Sequence, residues 1–185
     1  IADPKAVRPE HIEHLYVRRH KGNPEVAAEA GPRWADRLPP TPIPVEPTPA
    51  EEAVFAEIAE VWTHPPAGKK APTSGSGATL FPWTLFKAAL SSHRALAETV
   101  RNRRKSLRGA DGEVADPDRA AEDAALVRLG ELAEAVDDRN AAKLTALVEQ
   151  LRAIGVDGKG STRCVVFSER IATLDWLAEQ VPAAL

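Results

Sequence analysis

Seven prolines fall within residues 32–49. Each removes a backbone donor and fixes φ, so neither a helix nor a central strand can run through this stretch. The chain is thereby divided into a short leading segment and a long body, joined by an extended connector. Within the connector, residues 43–46 can form at most an edge strand. Ahead of it, His11, Ile12, Leu15, Tyr16 and Val17 have the spacing of one short amphipathic helix.

The connector ends in Thr48, Pro49, Ala50 and Glu51, a capping box with proline at the first helical position. Val54, Phe55, Ile58, Val61 and Trp62 then recur at helical spacing until Pro65 and Pro66 stop the helix. Residues 67–79, rich in Gly, Ser, Lys and Pro, read as a flexible loop. Residues 80–107 are apolar in their first half and basic in their second, which fits two successive helices or one bent helix. Asp116 and Pro117 make a cap and first turn for a helix whose buried side is Leu126, Val127, Leu129, Leu132 and Val136. A further helix can begin at Asp138, with Leu144, Leu147, Val148, Leu151 and Ile154 on one face and Gly155 closing it. Residues 163–167 are a short β-branched run with the composition of a buried strand, and a helix through Ile171, Leu174, Leu177, Ala178 and Val181 follows.

With 43% apolar residues in 185, the chain can bury a real core, as one domain with appendages. A net charge of −3 gives no global attraction to nucleic acid, so any such contact must be local. The single cysteine, Cys164, cannot close an internal disulfide, and no apolar run is long enough to span a bilayer. A soluble, cytoplasmic location is the natural expectation. The absence of Met, the start at Ile1 and a lone strand that needs neighbours on both edges together suggest a segment of a larger protein.

Most motifs have plain explanations. Gly158, Lys159, Gly160, Ser161 and Thr162 lack the spacing of a phosphate loop. They also follow a helix and precede a strand, the reverse of what brings amides and a helix dipole onto a phosphate. His11, His14 and His20 lack a well-spaced fourth ligand and suit an exposed polar face, so no metal site is expected. Ser91, Ser92 and His93 are adjacent, but catalytic Ser and His meet through tertiary folding, and helix capping explains the serines better. Cys164 should behave as a small apolar residue within its strand.

The basic run is the exception. Arg94, Arg101, Arg103, Arg104, Lys105 and Arg108 stand against one acid, Glu98, while residues 111–138 carry ten acids and two arginines. Two readings remain open at this level: contact with a phosphate backbone, or pairing between the two segments that absorbs the patch.

Three pieces, in order, resemble the Swi/Snf family of helicase-like, double-stranded DNA translocating ATPases, its bacterial members above all. Leu15, Tyr16, Val17, Arg18, Arg19, His20 and Lys21 are similar to the signature near the end of the first motor lobe. Leu38, Pro39, Pro40, Ile43, Pro44, Val45 and Glu46, with the capping box, are similar to the connector leading towards the second lobe. Lys143, Leu144 and Leu147, then Arg163 to Arg170 and Thr173, Leu174, Asp175, Trp176 and Leu177, resemble the first helix, first strand and motif IV region of the second lobe. Leu90, Ser91, Ser92, His93, Arg94, Ala95 and Leu96 resemble a helical insertion of bacterial relatives.

The resemblance implies a mainly α chain with one or two short strands, ending in the first strand–helix unit of a RecA-like α/β lobe. Residues 1–30 would close the first lobe, 31–50 form the connector, 51–137 the helical linker and insertion, and 138–185 open the second lobe. It implies a parent helicase that hydrolyses ATP with Mg and moves along double-stranded DNA. The phosphate loop, the Asp-Glu metal box and the final arginine motifs are absent, so this piece has no catalytic residues or cofactor of its own. Its partners would be DNA and the rest of the two motor lobes. DNA contacts are expected at Arg18, Arg19, Lys21, Arg101, Arg103, Arg104, Ser168 and Arg170, with lobe-interface pairing as the other reading of the first three. The rival from another class is a helical interaction or regulatory module binding a protein through the exposed face of the helix at 117–136. An independent enzyme is disfavoured because no acid, base and nucleophile can be assembled.

Overall fold

The computed structural model describes residues 8, 10, 23–30, 38–75, 79–108, 114, 116–157 and 160–185. The chain divides into two compact units, Ile1–Pro42 and Ile43–Leu185. In the first, α1 spans Pro24–Ala30. The amphipathic helix expected around residues 11–17 lies outside the described residues.

In the second unit, α2 spans Pro49–Glu57. Its capping box forms as the sequence suggests: the Glu51 amide donates to Thr48 Oγ1 at 3.3 Å, and the Thr48 amide donates to Glu51 Oε2 at 2.8 Å. The helix then widens into a π-helical turn over Ile58–Thr63. There the Thr63 hydroxyl reaches the carbonyls of Ile58 and Ala59, each at 3.3 Å, and the His64 amide takes Ala59 O at 2.7 Å.

Residues 80–107 form two helices, α3 (Phe81–Ser91) and α4 (His93–Leu107). Ser92 separates them in an extended conformation, and its hydroxyl accepts from the Ala95 amide at 3.0 Å as the N-cap of α4. Helix α5 (Pro117–Glu134) is capped by Asp116, as its sequence indicates. Helix α6 (Ala142–Ala153) begins four residues later than Asp138. Its own N-cap, Ala141, offers no side chain, and the Ala142 amide is instead met by both Glu51 oxygens at 3.3 Å. Glu51 therefore serves the start of two helices. Gly155, in the left-handed region at φ +83°, lets the chain turn after α6. Helix α7 spans Ile171–Ala184.

The core is one apolar cluster. Val54, Ile58 and Trp62 from the α2 region meet Leu85 and Ala88 of α3, Leu96 and Val100 of α4, Leu126 and Leu129 of α5, Leu144 of α6 and Trp176 of α7. At α4–α5, Gly130 packs against Val100, where a Cβ would lie 3.4 Å from Val100 Cγ1.

The expected strand–helix ending of a RecA-like α/β lobe is not there. No strand exists among the described residues, and residues 43–46 and 162–168 have no regular structure. Val165 is 72% and Phe167 90% exposed. A strand exists only through backbone pairing with neighbours. Residues 163–167 have the β-branched composition but no ladder partner among the described residues, so composition alone does not make them a strand. Cys164 is likewise exposed rather than packed.

Candidate nucleic-acid interface

Helix α4 carries the basic run, and α5 packs along it with the acidic one. The inner cations of α4 are consumed by this contact. Arg103 donates from Nε to Glu122 Oε1 at 2.7 Å and from Nη2 to Oε2 at 3.0 Å. Glu122 is fully buried, and its Oε2 also accepts from the Ser74 amide and hydroxyl at 2.8 and 2.6 Å. Arg103 Nη2 completes the ring by donating to Ser74 O at 2.8 Å, and its guanidinium lies 4.9 Å over Phe81. Arg104 donates to Asp123 Oδ1 at 2.8 Å, and Arg108 reaches the same carboxylate at 3.7 Å.

At the other end of α4, Asp138 gathers three partners. Arg94 meets it through Nε at 2.7 Å and through Nη2, His93 Nε2 lies 2.7 Å from Oδ1, and the Trp176 indole donates to its carbonyl at 3.2 Å. The His93 and Trp176 rings meet edge to face, 4.9 Å between centroids. The Arg94 hydrogen bond, with His93 behind it, holds the Asp138 carboxyl below its ordinary value against the opposing cost of burial. Asp138 is thus a junction between α4 and α7. The only signal for it in the sequence is the acid-rich composition of 111–138.

The remaining expected contacts lie in different places. Arg101 is exposed and lines a groove between α4 and α5, whereas Arg103 and Arg104 are half-buried in the pairs just described. Ser168 and Arg170 sit together before α7, both half-buried, and the Arg170 amide donates to Ser168 Oγ at 3.2 Å. The Ser168 hydroxyl is 3.4 Å from Ser91 Oγ, at the edge of a cluster in which Ser91 and Ser92 lie 2.8 and 2.7 Å from Thr173 Oγ1. Arg18, Arg19 and Lys21 lie outside the described residues, as do His11, His14 and His20. Among the described residues no group of three His, Cys, Asp or Glu side chains could hold a metal ion.

A cavity of about 220 Å³ lies between α2, α3, α6 and α7, walled by Val54, Phe55, Ala89, Val136 and Trp176. Lys143 borders it and donates to Leu90 O, and burial lowers its pKa. Among the described residues no helix is long and apolar enough to cross a membrane.

The fold and its paired charges define a small helical bundle with a charge-laced α4–α5 seam. No known family matches the chain, and neither a curated protein nor a solved structure is similar to it at a significant level.

Proposed function

We propose that this chain is the helical part of an ATP-dependent DNA helicase or translocase of the Swi/Snf kind, acting in the cytoplasm. In this reading it links the moving parts of the motor and adds phosphate contacts to duplex DNA, while ATP and Mg are handled elsewhere in the parent. The observation that carries it is the meeting of two resembling pieces some 80 residues apart: Ser92 with Thr173 at 2.7 Å, and His93 with Trp176. Two segments that resemble one family pack on one another here, and that contact supports treating them as one unit. Ser168 and Arg170, and Arg18, Arg19 and Lys21, are the further DNA contacts this reading assigns.

The test is fluorescence anisotropy of the chain with labelled duplex DNA at low salt, beside an ATPase assay with Mg and DNA. Salt-sensitive duplex binding without ATP hydrolysis is expected. Absence of duplex binding at low salt overturns the reading.

A second reading, a protein-interaction module, is favoured by apolar side chains left in solvent: Leu80 just before α3, Trp83 and Leu90 on it, with Val165, Phe167 and Ile171. The exposed side of α5 mixes the charged Asp118, Arg119, Arg128, Glu131 and Glu134 with Pro117 and three alanines, Ala120, Ala121 and Ala124, and carries no large apolar side chain. This reading expects no duplex binding.

A further inference from the structure

Resting on the DNA-motor reading and deepening it, we propose that the exposed ridge of α4 beside the α4–α5 groove lies along one strand of duplex DNA, with Arg101 and Lys105 contacting successive phosphates and Arg108 beside them.

The ridge follows from helical periodicity. Arg94, Glu98, Arg101 and Lys105 fall on one face of α4, Arg108 follows just past its end, and all five are exposed. The cations of the run thus separate into two sets by what they touch. Arg103 and Arg104 face α5, where Glu122 and Asp123 neutralise them, and Arg94 is held by Asp138. Arg101 and Lys105 make no ion pair among the described residues. Arg108 shares Asp123 with Arg104 at the longer distance of 3.7 Å. A cation locked into an internal pair loses that pair when it turns to a phosphate, whereas an exposed one gives up only hydration and counterions.

The ridge also borders a groove of about 650 Å³, with Arg101, Arg104, Lys105 and Arg108 on the α4 side and Glu131 and Glu134 on the α5 side. Those two carboxylates repel a phosphate backbone, so they direct it onto the α4 side. The spacing fits as well. Four residues from Arg101 to Lys105 rise about 6 Å along the helix, and the phosphates of a B-form strand are about 3.4 Å apart along its axis and farther apart along the strand itself, so the two cations can reach neighbouring phosphates. A rigid, evenly charged strand matches a rigid ridge of this length better than an acidic peptide that must be ordered first. With a net charge of −3 the chain has no global attraction, so binding should be weak and confined to low salt.

The experiment is duplex binding by anisotropy across a salt series, for the full chain and for the double variant R101A/K105A. Because both side chains are exposed, far-UV circular dichroism should show unchanged helicity. The variant should bind more weakly on every duplex sequence, with a salt slope shallower by about 2, one for each phosphate contact removed. If the full chain binds and the variant binds with the same slope, the ridge assignment fails and the DNA-motor reading stands. If the full chain does not bind duplex at low salt, the motor reading fails and takes the ridge with it. Tighter binding of polyglutamate than of duplex also overturns the assignment, by making the ridge an acidic-peptide site.

Discussion

Arg103 and Glu122 form a two-point ion pair across the α4–α5 seam, Nε to Oε1 at 2.7 Å and Nη2 to Oε2 at 3.0 Å, with the carboxylate wholly removed from solvent. Both oxygens of Glu122 are used, and Ser74 ties the loop before α3 into the same network. Removing Arg103 leaves the buried Glu122 carboxylate without its counter-charge, and removing Glu122 leaves the Arg103 guanidinium and the Ser74 amide without their carboxylate acceptor; breaking such a pair typically costs about 3–5 kcal/mol. Glu122→Ala should therefore be severely destabilising in urea unfolding. Arg103→Ala should be destabilising as well, because the wholly buried Glu122 carboxylate then keeps only its bonds from Ser74. Comparable midpoints for Glu122→Ala and wild type would show that the pair contributes nothing.

Asp138 should make stability depend on pH in acid. Its folded pKa lies below the ordinary 3.8 because Arg94 and His93 stabilise the carboxylate. A depressed carboxyl contributes stability that is fully present above the unfolded value and is lost as pH falls through the folded value. Asp138→Asn should remove that contribution: the gap in unfolding free energy between wild type and variant is full at pH 6 and shrinks as pH drops below about 4. A gap that stays constant from pH 6 to pH 2 would contradict the assignment.

The features legible in the sequence are the ones settled within a few residues. Thr48, Pro49 and Glu51 announce α2, Ser92 caps α4, and Asp116 with Pro117 opens α5, because a cap needs only its own first turn. What depends on distant partners was not legible. Residues 163–167 have the composition of a strand, but a ladder needs neighbours that periodicity cannot supply, and Phe167 stands in solvent. Asp138 looks like a helix start and is instead claimed by Arg94 and His93, more than forty residues back. The basic run illustrates the same point. Its pairing potential is visible in composition, but which arginines face α5 is decided by the phase of α4 against it. The π-helical turn at Ile58–Thr63 carries no signature at all.

Glu51 gives a way to compare one cap with two. Thr48→Ala removes the side chain that accepts from the Glu51 amide and should cost about 1 kcal/mol. Glu51→Ala removes the reciprocal bond to Thr48 and also leaves the Ala142 amide at the start of α6 without its carboxylate. The second substitution should be the more destabilising by urea unfolding, and hydrogen exchange should rise at the first turn of both α2 and α6. Exchange that rises in α2 alone would mean that Glu51 does not cap α6.

Gly155 isolates backbone strain from packing. Its φ of +83° lies in the left-handed region, yet a Cβ built there meets nothing closer than Thr162 Oγ1 at 3.7 Å. An alanine would fit the space while paying for the conformation, about 1–2 kcal/mol. The Gly155 amide donates to Arg152 O at 3.0 Å and the Val156 amide to Leu151 O at 2.9 Å, so the cost falls on the closing turn of α6 rather than on its core face. Gly155→Ala should lower stability by that amount, and Gly155→Asn, which tolerates the left-handed region better, by less. Equal losses for the two variants would point to crowding rather than to backbone conformation as the reason glycine stands at this position.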